Sequence, residues 1–243
     1  MGSFGKCKYC LEQKELIKAH IIPASFFKLV GTNDPKNPGK IYDPTPGKFP
    51  KISRIGEYDN NMLCLSCEDI FGTWDNYAAT ILITDFASGK FKKVDLRSKR
   101  FFYTLSDYDY VKIKLFFLSV LWRAHASSRP FFDNVDLGPH ANKIKQMLMD
   151  EDAGSSQDYS VYLVRYYDDL GNGSMCSPQL RKLDGLNVMQ ISLGPYTAFV
   201  KVDSQAYSNE YIECCIKQSQ LNILMLKLRD DLNALSSMRK AIS

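Results

Sequence analysis

Four cysteines form two pairs with the spacing of metal-binding knuckles, and this pattern constrains the fold more than any other feature of the chain. Each pair separates its thiols by two residues, in Cys7-Lys8-Tyr9-Cys10 and in Cys64-Leu65-Ser66-Cys67. Two such pairs are the ligand set of a closed tetrahedral zinc site. Four thiolates fill the coordination sphere of the ion, so we predict a structural zinc that folds the N-terminal half.

The use of the thiols depends on the redox environment of the protein. No apolar segment of the secretory type follows the first residues, so we expect a cytoplasmic protein in which paired cysteines bind metal rather than form disulfides. The other cysteines, Cys176, Cys214 and Cys215, lack ligand spacing and are interpreted as buried, inert thiols. Even the longest apolar runs, such as 115–118, are too short to span a bilayer, and we expect no membrane partner.

Basic charge is concentrated in the first part of the chain. Residues 1–104 contain 16 Lys and Arg against 11 Asp and Glu, a net charge of +5, whereas residues 105–243 contain 15 against 16. The excess is greatest in a basic strip, formed by Lys90, Lys92, Lys93, Arg97, Lys99 and Arg100. Such a strip is suited to contact nucleic-acid phosphates, although on charge alone a solvated surface explains it equally well.

The chain is expected to form two domains, over 1–104 and over 105–243. The first contains both cysteine pairs and the basic strip. Apolar spacing predicts a helix over 68–83, directly after the second pair. Five prolines between positions 31 and 56 indicate an irregular insertion between the pairs.

The second half combines helical and extended segments. Helices are predicted at 107–127, 140–150 and 218–242. Extended segments are predicted at 159–167, 186–193 and 196–202. The first helix, with Ser106 as its N-cap, is apolar nearly all round and is expected to be a long buried helix. The last two extended segments meet at Gly194-Pro195, and the predicted domain is α+β with a small antiparallel sheet.

Three motifs of the first half together resemble the HNH endonuclease family in its zinc-stabilised form. They are Cys7-x2-Cys10, Ala19-His20-Ile21-Ile22-Pro23 and Asn60-Asn61-Met62-Leu63-Cys64-x2-Cys67-Glu68. The resemblance covers about residues 5–85. It implies a treble-clef, ββα-metal core that hydrolyses phosphodiester bonds of DNA with a divalent cation. It also implies a setting in bacterial defence against phage.

The resemblance assigns roles to individual residues. It makes His20 the general base, Asn60 (or its neighbour Asn61) the residue that orients this histidine, and Glu68 the ligand of a catalytic Mg²⁺ or Mn²⁺. The charge pattern, taken together with this nuclease hypothesis, makes Lys92, Lys93, Arg97, Lys99 and Arg100 of the basic strip the expected DNA contacts. Each assignment has a structural alternative. The histidine could pack within its hairpin, the asparagines could form a turn, and the glutamate could stabilise a helix N-terminus.

One position departs from the family pattern. Many members have aspartate before the histidine as a second metal ligand, whereas this chain has Ala19. Asp59, Asp69 or Asp75 could substitute for it. The rival function is therefore a zinc-binding module that has lost catalysis and binds nucleic acid or protein. A protein partner or a second copy of the chain also remains open, with residues 105–243 as a substrate wall, dimer surface or sensor.

Overall fold

The computed structural model describes residues 3–30, 40–42, 49, 51–52, 56–96, 101–167, 174–207, 212 and 214–227. Its strands are β1 (Phe4–Lys6), β2 (Gln13–Glu15), β3 (Ala19–His20), β4 (Lys40–Tyr42), β5 (Lys51–Ile52), β6 (Tyr58–Asp59), β7 (Lys92–Asp95), β8 (Phe101–Leu105), β9 (Val161–Tyr166), β10 (Ser174–Cys176), β11 (Gln179–Leu183), β12 (Leu186–Leu193), β13 (Tyr196–Lys201) and β14 (Leu221–Leu226). Its α-helices are α1 (Ala24–Phe27), α2 (Leu65–Ala79), α3 (Tyr110–Ala126) and α4 (His140–Met149). A π-helical segment, Thr80–Asp85, continues α2, and a 3-10 turn covers Pro130–Phe132.

The largest element is a seven-stranded sheet in the order β11-β12-β13-β9-β14-β8-β7. Its pairs are antiparallel except for β9 and β14, which run parallel. The α+β class is confirmed, but the sheet is larger than the small antiparallel sheet expected from the sequence. The reason is that β8 pairs with β14 of the second half, and β7, from the first half of the chain, pairs with the other edge of β8. The strand β8 also spans the position at which the sequence suggested a domain boundary.

The C-terminal helix prediction is wrong over the part that the structure describes. Leu221–Leu226 forms β14, an interior strand between β8 and β9. All six of its residues are buried, because both faces of the sheet are covered. A short, nearly continuous apolar run of this kind is typical of a doubly covered strand, and its pairing with distant strands outweighs the local helical spacing. Residues 228–243 of the predicted helix lie outside the described residues.

The long buried helix is confirmed as α3. Its residues from Ile113 to Ala124 are buried, and it packs against α2, α4 and β13. Asp109 rather than Ser106 caps its N-terminus, since the Asp109 side chain accepts a hydrogen bond from the Lys112 backbone N–H. This helix therefore lies between α2, which begins at the second cysteine pair, and the sheet.

Two apolar clusters cover the two faces of the sheet. The larger cluster joins one face to α2, α3, α4 and the cysteine knuckles. A smaller cluster covers the other face and includes Tyr162, Val188, Phe199 and Leu224. Within the described residues, none of the helices combines the length and apolar character needed to cross a membrane.

Candidate metal centre

The four knuckle cysteines come together in one cluster. The ligand atoms of Cys7, Cys10, Cys64 and Cys67 all lie within 4.8 Å of one another. The Sγ atoms of Cys10 and Cys64 are 3.9 Å apart. Zinc–sulfur bonds of about 2.3 Å in a tetrahedron require sulfur–sulfur separations of about 3.8 Å. The spacing and chemistry of this donor set therefore fit a metal ion such as zinc.

Local structure explains why the sequence brings these thiols together. Cys7 follows β1, and the turn that contains Cys10 leads into β2, which pairs with β1. Cys64 is the N-cap residue of α2, and the backbone N–H of Cys67 donates to its carbonyl in the first helical turn. The Cys64 backbone N–H also lies 3.5 Å from Cys7 Sγ. A helix N-terminus favours negative charge on nearby thiolates.

The thiols differ in their tendency to ionise. Burial raises the pKa of Cys64, but hydrogen bonds from Ser66 and from the Cys67 backbone outweigh that effect and lower it to about 6. Burial raises the pKa of Cys67 and of Cys10. Metal ligation requires thiolates, so a bound ion must displace the protons that the raised pKa values favour. Metal affinity of this cluster is therefore expected to increase with pH.

His20 contacts Glu68, the residue that follows Cys67, and its backbone is held on both sides. It belongs to β3, where it pairs with Tyr58 of β6. Its N–H donates to Glu68 Oε1 at 3.1 Å, and its carbonyl accepts from Arg123 Nη1 at 2.9 Å. The half-buried imidazole lies edge-on to the Tyr58 ring, with 6.4 Å between ring centroids. The structure thus brings His20 and Glu68 together from positions 48 residues apart.

The two carboxylate oxygens of Glu68 differ in their hydrogen bonding. It lies in the first turn of α2, directly after Cys67. While Oε1 accepts the His20 N–H, Oε2 is buried and accepts no hydrogen bond within the described part of the chain. Burial raises the pKa of this carboxyl group, and the charge of Arg123 opposes that rise. A buried carboxylate oxygen without a donor is a position that a cation or a proton would satisfy.

Asp75 does not offer a free carboxylate, although the sequence suggested it as a substitute ligand. Its two oxygens accept from Arg123 Nη1 and Nη2 at 2.8 and 2.6 Å. Arg123 is fully buried and also donates to the carbonyl and hydroxyl of Ser119. This bidentate ion pair joins α2 to α3 and, through the His20 carbonyl, to β3.

Asp59 is also committed to structural contacts. One oxygen accepts from the Asn61 N–H, and the other from the Ser127 hydroxyl and from both the N–H and hydroxyl of Ser128. Burial raises its pKa, but these hydrogen bonds outweigh that effect and lower it. Of the three suggested substitutes, only Asp69 is solvent-exposed.

The two asparagines lie in the exposed turn between β6 and α2. The Asn61 side chain accepts a hydrogen bond from the Ser3 hydroxyl at 3.0 Å, and the Asn61 backbone N–H donates one to the Asp59 carboxylate. Asn60, the preferred candidate from the sequence, directly follows β6 and is exposed. Its assigned role in orienting His20 stays a prediction.

The basic strip is only partly visible. Lys92 and Lys93 are exposed on β7, the edge strand of the sheet, and their side chains point to opposite faces because strand residues alternate. Lys93 is paired with Asp95 at 2.8 Å and lies over the Phe101 ring. Arg97, Lys99 and Arg100 lie outside the described residues. The DNA-contact assignments therefore stay predictions.

Sequence reasoning missed the part that Arg123 plays in this site. A cation inside a helix that is otherwise apolar nearly all round is a signal for a buried partner, because an unpaired buried charge is costly. The sequence could not say that the partners are Asp75 and the His20 carbonyl. The other histidines have local contacts: His125 Nδ1 lies 3.3 Å from the Leu137 N, and His140 Nδ1 lies 3.1 Å from the Tyr159 hydroxyl.

No protein-family model matches this chain, and neither does any curated protein or solved structure. The likeness to HNH endonucleases rests on the motif residues alone.

Proposed function

We propose that this protein is an HNH-like, metal-dependent endonuclease that hydrolyses phosphodiester bonds of DNA. One observation carries the proposal. The Glu68 carboxylate contacts the backbone of His20 and keeps its second oxygen buried and unengaged, directly beside four thiols arranged as a zinc site. This contact supports the proposal, because it joins a carboxylate that could bind a hard cation to the backbone of the residue that carries the candidate base.

Each group has a distinct chemical task in this proposal. The thiols of Cys7, Cys10, Cys64 and Cys67 hold a structural Zn²⁺. The His20 imidazole takes a proton from the attacking water, a task suited to a side chain that titrates near neutral pH. Glu68 holds Mg²⁺ or Mn²⁺, which when bound stabilises negative charge that develops on the phosphate. Arg123 fixes the His20 backbone, and exposed lysines such as Lys92 contact DNA phosphates.

A second candidate is the zinc-binding module that binds nucleic acid or protein without cutting. The observation in its favour is that two of the three suggested substitute carboxylates are already engaged in other contacts. Ala19 is fully buried where many family members have an acid, and Asp59 and Asp75 are committed to hydrogen bonds and an ion pair. Under this reading Glu68 serves only to hold the His20 backbone.

The two candidates differ in what purified protein does to DNA. We expect Mn²⁺ or Mg²⁺ to support cleavage of plasmid, linear or single-stranded DNA by the wild-type protein. His20→Ala should abolish cleavage while zinc content and circular dichroism stay unchanged. His140→Ala is the matched control, because it removes another half-buried imidazole and should leave cleavage intact.

Cleavage by His20→Ala at the wild-type rate would exclude His20 as the base. If the zinc-loaded wild type leaves all three DNA substrates intact with either metal, the nuclease proposal fails. Retained DNA binding in the same experiment would then favour the non-cutting module.

A further inference from the structure

A cavity of about 280 Å³ lies on the face of the seven-stranded sheet that is turned away from α3. Buried residues of β9 and β14 form its floor, namely Tyr162, Asn222 and Leu224. Half-exposed residues surround its mouth, namely Leu96, Phe102, Cys214 and Gln220. The cavity therefore combines a buried floor with a rim that reaches solvent, as a ligand site requires.

The strand register explains why these side chains share one face. Phe102 lies directly opposite Leu224 in the β8–β14 pair, and Thr104 lies directly opposite Asn222. Directly opposed residues of an antiparallel pair project to the same side of the sheet. Tyr162 extends this surface from β9, on the other side of β14. On the cavity floor, position 222 of β14 thus places an amide between the apolar Leu224 and the aromatic Tyr162.

Asn222 is the unusual member of this lining. It is 7 % exposed, and its Oδ1 accepts no hydrogen bond from any described residue. The Thr104 hydroxyl, directly opposite, is likewise without a partner among the described residues. A buried amide oxygen left unpaired is costly, whereas leucine there would continue the apolar run of β14. The amide is explained if a ligand donates the missing hydrogen bond.

We propose that this cavity binds a small, uncharged aromatic heterocycle that donates one hydrogen bond to Asn222 Oδ1. An apolar cavity of about 150 Å³ holds benzene, so a cavity nearly twice as large has room for two fused rings. Phe102 and Tyr162 supply aromatic walls, and no charged side chain is present in the described lining. The proposal concerns the sheet, and it stands whether or not the protein cuts DNA.

Indole and 1-methylindole form a matched pair of probes, because they share a ring system and differ in the N–H donor. In calorimetric titration of the full chain, we expect indole to bind about tenfold more tightly than 1-methylindole. Asn222→Leu replaces the amide by an apolar side chain of similar volume. This variant should fold with an unchanged or higher Tm and should bind the two probes equally.

A second variant tests the location of binding without touching the buried amide. Cys214→Trp places a large side chain at the half-exposed mouth and should abolish binding of both probes while near-ultraviolet circular dichroism reports an intact fold. The proposal is overturned if wild-type protein binds neither probe or binds both equally. It is also overturned if folded Asn222→Leu keeps the indole preference, or if folded Cys214→Trp still binds.

Discussion

The two ends of α3 each bury a cationic side chain, and they accommodate it in different ways. Near the C-terminal end, Arg123 is fully buried and forms a bidentate ion pair with Asp75. Near the N-terminal end, Lys114 is 1 % exposed and donates to the Tyr110 hydroxyl and the Ser155 carbonyl, which are uncharged. Burial lowers the pKa of Lys114 to about 8.

This contrast between an ion-paired arginine and a lysine with neutral partners shows which end of α3 positions the candidate site. Arg123, whose charge is compensated by the Asp75 carboxylate, also donates a hydrogen bond to the His20 carbonyl. A second carboxylate, Asp59, ties Ser127 and Ser128 at the same end to β6, the partner strand of His20. Lys114 donates only to neutral acceptors in the contacts described, and burial lowers its pKa although the charges of Asp158 and Asp152 oppose that shift.

The largest expected effect on stability comes from breaking the ion pair between Arg123 and Asp75. Arg123→Met leaves Asp75 buried without its counter-charge, and we expect it to lower the free energy of unfolding by about 3–5 kcal/mol. Urea denaturation followed by circular dichroism measures this change. The double variant Arg123→Met/Asp75→Leu is the control and should lose less, because no unpaired charge stays buried. A loss under about 1 kcal/mol for the single variant would contradict the account.

A smaller loss is expected from Asp59→Asn. Hydrogen bonds to a charged acceptor contribute about 1.5–3 kcal/mol, and the amide NH₂ cannot accept from both Ser127 and Ser128. The pKa of Asp59 is depressed by folding, so its contribution is present above the ordinary aspartate pKa and is lost as pH falls through the folded-state value. Denaturation of both proteins at neutral and acidic pH should show the difference shrinking toward low pH. If the stability difference between wild type and Asp59→Asn does not change with pH, the loss comes from packing rather than from the carboxylate charge.

The smallest effect is expected at the other end of the helix. Lys114→Met should change stability by about 1 kcal/mol or less at pH 7, because relief from a buried charge offsets the lost hydrogen bonds. The pKa of Lys114 is lowered to about 8 by folding, so an unfolded chain holds this proton to higher pH. Wild-type protein should therefore gain stability relative to the variant as pH rises from about 8 toward 10. A loss as large as that of Arg123→Met would erase the contrast between the two ends.

Local patterns were the part of this structure that the sequence could predict. Cysteine spacing identified the thiol cluster, because a knuckle places its two ligands through local geometry. The helical stripe after Cys67 and the hairpin at Gly194-Pro195 are found as α2 and as the turn between β12 and β13. Gly194 has a φ of 64°, a conformation that glycine adopts without strain.

Long-range pairing is what the sequence could not supply. The apolar spacing of Leu221–Leu226 fits a helix until β8 and β9 are known to flank it. Arg123 lies in an apolar helix, and nothing local indicates that its partners come from β3 and α2. The contact of His20 with Glu68 was expected only from a family resemblance. The hydrogen bonds of Asp59 and the ion pair of Asp75 could be seen only in the structure.

We propose that cysteine knuckles held by zinc place a metal-binding Glu68 next to His20. Anomalous diffraction from crystals of the zinc-loaded protein soaked in Mn²⁺ tests it directly, because the two metals have separate absorption edges. We predict a zinc peak among the four thiols and a manganese peak within coordination distance of Glu68 Oε2, absent in Glu68→Gln. A zinc peak among the thiols with no manganese near Glu68 would overturn the proposed metal-binding role of Glu68.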